Sequence, residues 1–131
     1  MGSPHSAEDG EPLISKPWVQ RNLAIVKVRL EALRMICLKQ AWAMCEGTLG
    51  MAEASAAKVY GTEFFVEAYR LLLEVMGQAG IIREDSTGAI LQGKIEHRYR
   101  VGSILTFGGG CNEVQRDIIA AAGLWMPLAK R

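Results

Sequence analysis

Residues 17–46 read PWVQRNLAIVKVRLEALRMICLKQAWAMCE, and this stretch decides the fold. It holds no glycine, and its single proline, Pro17, stands where the first turn of a helix has no use for an N–H. Val19, Leu23, Val26, Leu30, Leu33, Cys37 and Ala41 recur at spacings of four and three, which is one apolar stripe of a long helix. Ile25, Val28, Ala32, Met35 and Ile36 lie off that stripe. A helix that is apolar on more than one side is covered on more than one side. This one therefore sits centrally in a bundle or faces another chain. Gly47 and Gly50 end it.

Working outward, a second helical run extends from about residue 52 to 76. Ala56, Tyr60, Phe64, Ala68, Leu71, Leu72 and Val75 form its stripe, with Phe65, Tyr69 and Met76 beside it. Gly77 and Gly80 break the pattern. A connector over residues 81–91 turns at Ser86, Thr87 and Gly88, and its Ile81 and Ile82 are expected to pack down. A third helix is predicted over residues 92–106, with Glu96, His97, Arg98 and Arg100 on its polar side. Gly108, Gly109 and Gly110 form a loop. The last helix starts near Asn112, read as its N-cap, and runs to Gly123 with Pro127 beyond it. No segment alternates strongly enough to be a strand. The predicted fold is all-α, an antiparallel bundle of four main helices.

Residues 1–15 are polar and read as a flexible lead-in, beginning with a Met-Gly-Ser cloning remnant and containing His5. Of the 131 residues, 50% are hydrophobic and 22% charged, enough for a real core in one domain. A net charge of +1 argues against nucleic acid as a partner. No apolar stretch is long enough for membrane insertion. Cys37, Cys45 and Cys111 are too few and too scattered for a disulfide framework or a zinc site, so the chain reads as cytoplasmic with reduced thiols and no metal.

Chemistry concentrates at the glycine loop. Glycines let a backbone approach a ligand, and a helix start beside them favours an anionic group such as phosphate. A flexible turn between helices explains the same residues equally well. Gly77 to Gly80 reads first as a helix C-cap. Arg98 and Arg100 read as a solvated face, with an internal ion pair or a phosphate contact as the sharper alternative. His97 lacks a partner at catalytic spacing. Cys111, at a helix start, has no base beside it, and Cys37 and Cys45 are expected in the core. Trp18, Trp42 and Trp125 need homes in the core or in an interface.

The run TFGGGCNEVQRDIIA, residues 106–120, resembles a signature of the acyl-CoA dehydrogenases, near the end of their C-terminal helical domain. LEALR at 30–34, EASAAK at 53–58 and EVMGQAG at 74–80 resemble, in order, the middle of a long helix of that domain, the start of the next, and the flavin segment after it. The resemblance covers nearly everything from about residue 12 onward. It implies a helical domain over residues 16–131 that lacks the family's first C-terminal helix.

The resemblance also implies an activity. The family desaturates acyl-CoA thioesters between the α and β carbons, with a glutamate as base and FAD as hydride acceptor. In many members that glutamate falls at the position of Gly109, so no catalytic residue is assigned in this chain. Some members place the base on the earlier helix, and others form mixed oligomers in which one subunit type lacks it. Gly110, Cys111 and Glu113 match positions that touch FAD within one subunit, with Cys111 where threonine is usual and Glu113 where glutamine is frequent. Glu74, Gly77 and Gln78 match the segment that reaches a neighbouring subunit's FAD, with Glu74 replacing a glutamine. Arg100 matches an arginine that organises the loop. The run resembles bacterial members, some of which act on steroid or other bulky acyl chains. The expected partners are acyl-CoA and a homo-oligomer or mixed oligomer. A non-catalytic subunit, or a bundle that has lost its ligand, remains the alternative.

Overall fold

The computed structural model describes residues 11–127. After a 3-10 turn at Leu13–Ser15 come α1 (Pro17–Cys45) and α2 (Met51–Met76). Two further 3-10 turns, Gly77–Ile81 and Ile90–Gly93, lead to α3 (Lys94–Gly102). A 3-10 turn at Ser103–Thr106 and the glycine loop lead to α4 (Asn112–Ile118), which continues as a π turn over Ile119–Gly123. No strand occurs among the described residues, and none of their helices is long and apolar enough to cross a membrane. The all-α reading and the four helices hold.

The centre of the bundle is α2, not α1. It buries Ser55, Val59, Gly61, Phe64, Ala68 and Leu71, and every other helix packs on it. All three neighbours run antiparallel to α2. Along α1, Asn22 meets Glu74, Arg29 meets Tyr60, and Gln40 meets Glu53. On α3, a Cβ built on Gly102 would lie 3.9 Å from a Val66 methyl; on α4 Asn112 meets Thr62, and at the end of the following π turn Gly123 abuts Ala52.

The inward face of α1 also differs from the apolar stripe. Among its buried or half-buried positions, 19, 22, 26, 29, 33, 36, 40 and 43 follow a repeat of 3.5 residues, with half-buried 23, 25, 31 and 32 beside them. Such a repeat is the seam of two closely aligned helices. Leu30, Cys37 and Ala41, from the predicted stripe, are exposed. Polar Asn22, Arg29 and Gln40 take inward places because α2 supplies their partners. Arg29 lies 5.8 Å from the Tyr60 ring centre and 5.6 Å from that of Phe64, a pair of cation–π contacts.

Other details of the structure refine or correct the sequence reading. The third helix starts at Lys94 because Leu91, Gln92 and Gly93 have left-handed backbones (φ 51, 57 and 68). A Cβ at Gly93 would fall 2.4 Å from the Glu84 nitrogen, so two backbone segments touch there. Ile81 is 67% exposed: the turn after Gly77 tucks Gly80 inward instead, against Met76 and Leu73. Cys37 and Cys45 lie on the surface, and Trp18, Trp42 and Trp125 are all exposed within this chain. Residues 1–10 of the expected lead-in, with His5, lie outside the described residues; its last part folds as the Leu13–Ser15 turn, tied to α1 by the Gln20 amide on the Ile14 carbonyl (3.0 Å).

Candidate functional site

The glycine loop follows directly from the end of α3. The amides of Phe107 and Gly108 both donate to the Ile104 carbonyl, which closes the 3-10 turn and turns the chain outward. Gly109 and Gly110 then adopt positive φ, +69° and +96°, a conformation that glycine enters without Cβ strain. A Cβ on Gly109 would meet nothing within 4 Å, whereas one on Gly110 would fall 2.8 Å from the Gln115 amide nitrogen. The loop crest, from Phe107 to Gly110, is exposed.

Beneath the crest lies a polar network that joins α2 to α4. The Lys58 ammonium donates to the Gly110 carbonyl (2.7 Å), the Thr106 carbonyl (3.1 Å) and Asn112 Oδ1 (2.6 Å). Asn112, only 3% exposed, sends its Nδ2 to Thr62 Oγ1 and to Glu63 Oε1, each at 3.1 Å. Arg116 completes the set with an ion pair to Glu63 at 2.7 Å. Partial burial alone would raise the Glu63 pKa, but hydrogen bonds from Arg116 and Asn112 outweigh it and hold the carboxyl below its ordinary value. Gln115 folds back to donate to the Gly109 carbonyl (3.0 Å).

Asn112 is therefore not the N-cap. Cys111 has the N-cap backbone conformation, and Asn112 is the first helical residue, its side chain committed to the network. A buried side chain amide with all these partners is worth more there than at a cap. Lys58, Thr62, Glu63 and Arg116 were not singled out individually from the sequence. Lys58 is the one signal available: a cation at i−4 from Thr62, on a helix otherwise rich in alanine.

The other predicted residues lie elsewhere. Glu74 sits at the far end of α2, about 24 Å from Lys58 along the helix at 1.5 Å per residue, and Gly77 and Gln78 lie in the turn just beyond it. Within one chain they do not join the glycine loop. Gly77 (φ +58°) and Gln78 are exposed. Glu74 is engaged inside the chain: one carboxylate oxygen pairs with Arg70, and the other accepts from the buried Asn22 amide at 3.0 Å. Arg70 also grips Glu67 at 2.7 Å, which holds the Glu67 carboxyl below its ordinary value. Cys111 is half-buried, and Glu113 is exposed with no ion pair among the described residues. Arg100 makes the internal ion pair, to Glu96 at 2.9 Å, and approaches His97; His97 itself lies 3.7 Å from Glu84.

Comparison with known proteins agrees with this arrangement. Residues 5–124 match the family model for the acyl-CoA dehydrogenase C-terminal domain. The chain is 48% identical to acyl-CoA dehydrogenase FadE26 of Mycobacterium tuberculosis (strain ATCC 25618 / H37Rv), over 93% of this chain and 31% of that protein. It superposes on a chain of the ChsE4-ChsE5 complex from Mycobacterium tuberculosis with a TM-score of 0.88 and 47% identity, covering 98% of this chain and 33% of that one. Against the Tcur3481-Tcur3483 steroid ACAD the TM-score is 0.87 with 44% identity, over 89% of this chain and 30% of that one. The chain thus spans about a third of the length of the relatives it matches. By family model, sequence and fold together, it belongs to the acyl-CoA dehydrogenases, as their C-terminal helical domain.

Proposed function

We propose that the chain serves as the C-terminal domain of an FAD-dependent acyl-CoA dehydrogenase, which desaturates acyl-CoA thioesters between the α and β carbons. Its share of the work is flavin binding and subunit assembly. Residues 16–131 are assigned to this role, in a cytoplasmic enzyme. The observation that carries the reading is the exposed glycine loop, left-handed at Gly109 and Gly110 and clamped from below by Lys58 and Gln115.

The residues at the loop fit a flavin. Gly110 has no space for a side chain, Gly109 opens onto solvent, and Glu113 is uncommitted to any ion pair among the described residues. Gly110, Cys111 and Glu113 would hold FAD from one subunit. Cys111 offers only a weak S–H donor. Gly77 and Gln78 would reach the flavin of a neighbouring subunit, which accords with their place at the opposite end of α2. Glu74 fits a direct contact less well, because Arg70 and Asn22 already occupy both its oxygens; it would orient the segment before Gly77. When bound, FAD accepts the hydride that leaves the β-carbon.

Gly109 has no group to remove the α-proton, so the base in this reading comes from elsewhere in the assembly. That same residue favours a second reading, a non-catalytic subunit in a mixed oligomer. Kinship with the ChsE4-ChsE5 complex and the Tcur3481-Tcur3483 steroid ACAD supports a mixed assembly and a bulky acyl chain as substrate. The test is the visible spectrum of the purified chain after incubation with FAD and removal of free cofactor. A retained flavin band is expected; a colourless protein in every assembly, including with a partner dehydrogenase subunit, would overturn the flavin role.

A further inference from the structure

We propose that Lys58 is the positioning residue of the glycine loop: its ammonium fixes both ends of the loop and, through the Gly110 carbonyl, turns the Cys111 N–H toward the outer side, where a ligand sits. Lys58 has three N–H bonds and spends them on three acceptors that bracket the loop. Thr106 precedes the crest, Gly110 closes it, and Asn112 opens α4. The crest itself is exposed, so its place over α2 depends on what grips it from below.

The orientation follows from peptide geometry. A trans peptide points its C=O and its N–H in opposite directions, and every peptide bond described here is trans. The Gly110 carbonyl is drawn down onto Lys58, so the Cys111 N–H faces away from it. The Gly109 carbonyl is drawn toward Gln115, so the Gly110 N–H faces away from that side chain. Neither N–H appears in a backbone hydrogen bond of the described loop. A lysine suits this task because its three donors diverge tetrahedrally; a planar guanidinium cannot converge on two carbonyls and an amide in the same way. The ligand side of this inference rests on the flavin reading above; the positioning of the loop does not.

The test is hydrogen exchange on the whole chain, with Lys58→Met and Lys58→Arg beside the parent. Lys58→Met is expected to speed amide exchange roughly tenfold at Phe107 and Gly108, whose N–H groups are bonded to the Ile104 carbonyl, with the protection of the α2 core around Phe64 and Leu71 unchanged. Lys58→Arg should fail to restore it. A merely structural lysine would lower protection everywhere or nowhere. Equal loop exchange in folded Lys58→Met and parent overturns the proposal. Should Lys58→Met fail to fold, the parent decides: a lysine ammonium NMR signal in slow exchange with water, absent from the Lys58→Arg spectrum, supports the clamp, and its absence from the parent refutes it. A chain whose loop loosens in Lys58→Met but never retains flavin keeps the clamp and sinks the flavin role. A flavin-retaining chain whose loop ignores the substitution does the reverse.

Discussion

At Gly61, α2 faces Leu33 of α1. A Cβ built there would lie 3.4 Å and 3.9 Å from the two methyls of Leu33, ordinary contact distances. Glycine inside a helix costs about 0.5–1 kcal/mol relative to alanine, through the freedom it loses on folding. Gly61→Ala is therefore expected to stabilise the chain by about that amount, read as a higher urea midpoint at unchanged slope. Glu63 makes a second case at this scale. Its folded pKa is lowered, so the stability it contributes is present above the ordinary carboxylate range and is lost as pH falls through the folded value. Melting temperature should drop on acidification in the parent, and less steeply in Glu63→Gln. Neither residue stood out in the sequence. Gly61 looked like any glycine in a helical run, and Glu63 like one of many scattered carboxylates. Their roles depend on Leu33 and Arg116, which are distant in sequence and adjacent only after folding.

At the scale of elements, the lengths of α1 and α2 were legible because Pro17 and Gly47 bracket the first periodic run and Gly50 and Gly77 the second. The face α1 turns to α2 was less so. A reading that follows apolar residues picks Leu30, Cys37 and Ala41, while the seam uses Asn22, Arg29 and Gln40. Polar residues enter a seam when their partners are already across it, and hydrophobicity does not carry that information. The third helix was drawn too long for a similar reason. Leu91 and Gln92 carry no glycine or proline signal, yet both are left-handed because the chain must bring Gly93 against the Glu84 backbone. The site was legible as a glycine loop before a helix. The lysine beneath it was not, since its acceptors are mostly backbone carbonyls.

At the scale of the whole molecule, the described hydrophobic residues that are buried are only Val19, Val59, Phe64, Ala68 and Leu71. Meanwhile Val28, Met35, Leu38 and Trp42 stand 53–67% exposed along the outer side of α1. Apolar surface gathered on one helix face is a contact surface awaiting cover. Of the two alternatives for the two-sided α1, the central one fails, and the helix's second side is exposed within this chain. We expect the chain to associate, and Met35→Glu with Trp42→Glu to shift light scattering toward the monomer while helix content by circular dichroism stays the same. Cys45, exposed and seven residues after Leu38 on the same side of α1, borders that surface, whereas Cys37 lies on the opposite side of the helix. The pair gives a native chemical footprint: alkylation of Cys45 should slow as protein concentration rises while that of Cys37 does not, reporting coverage of this face without any label being added.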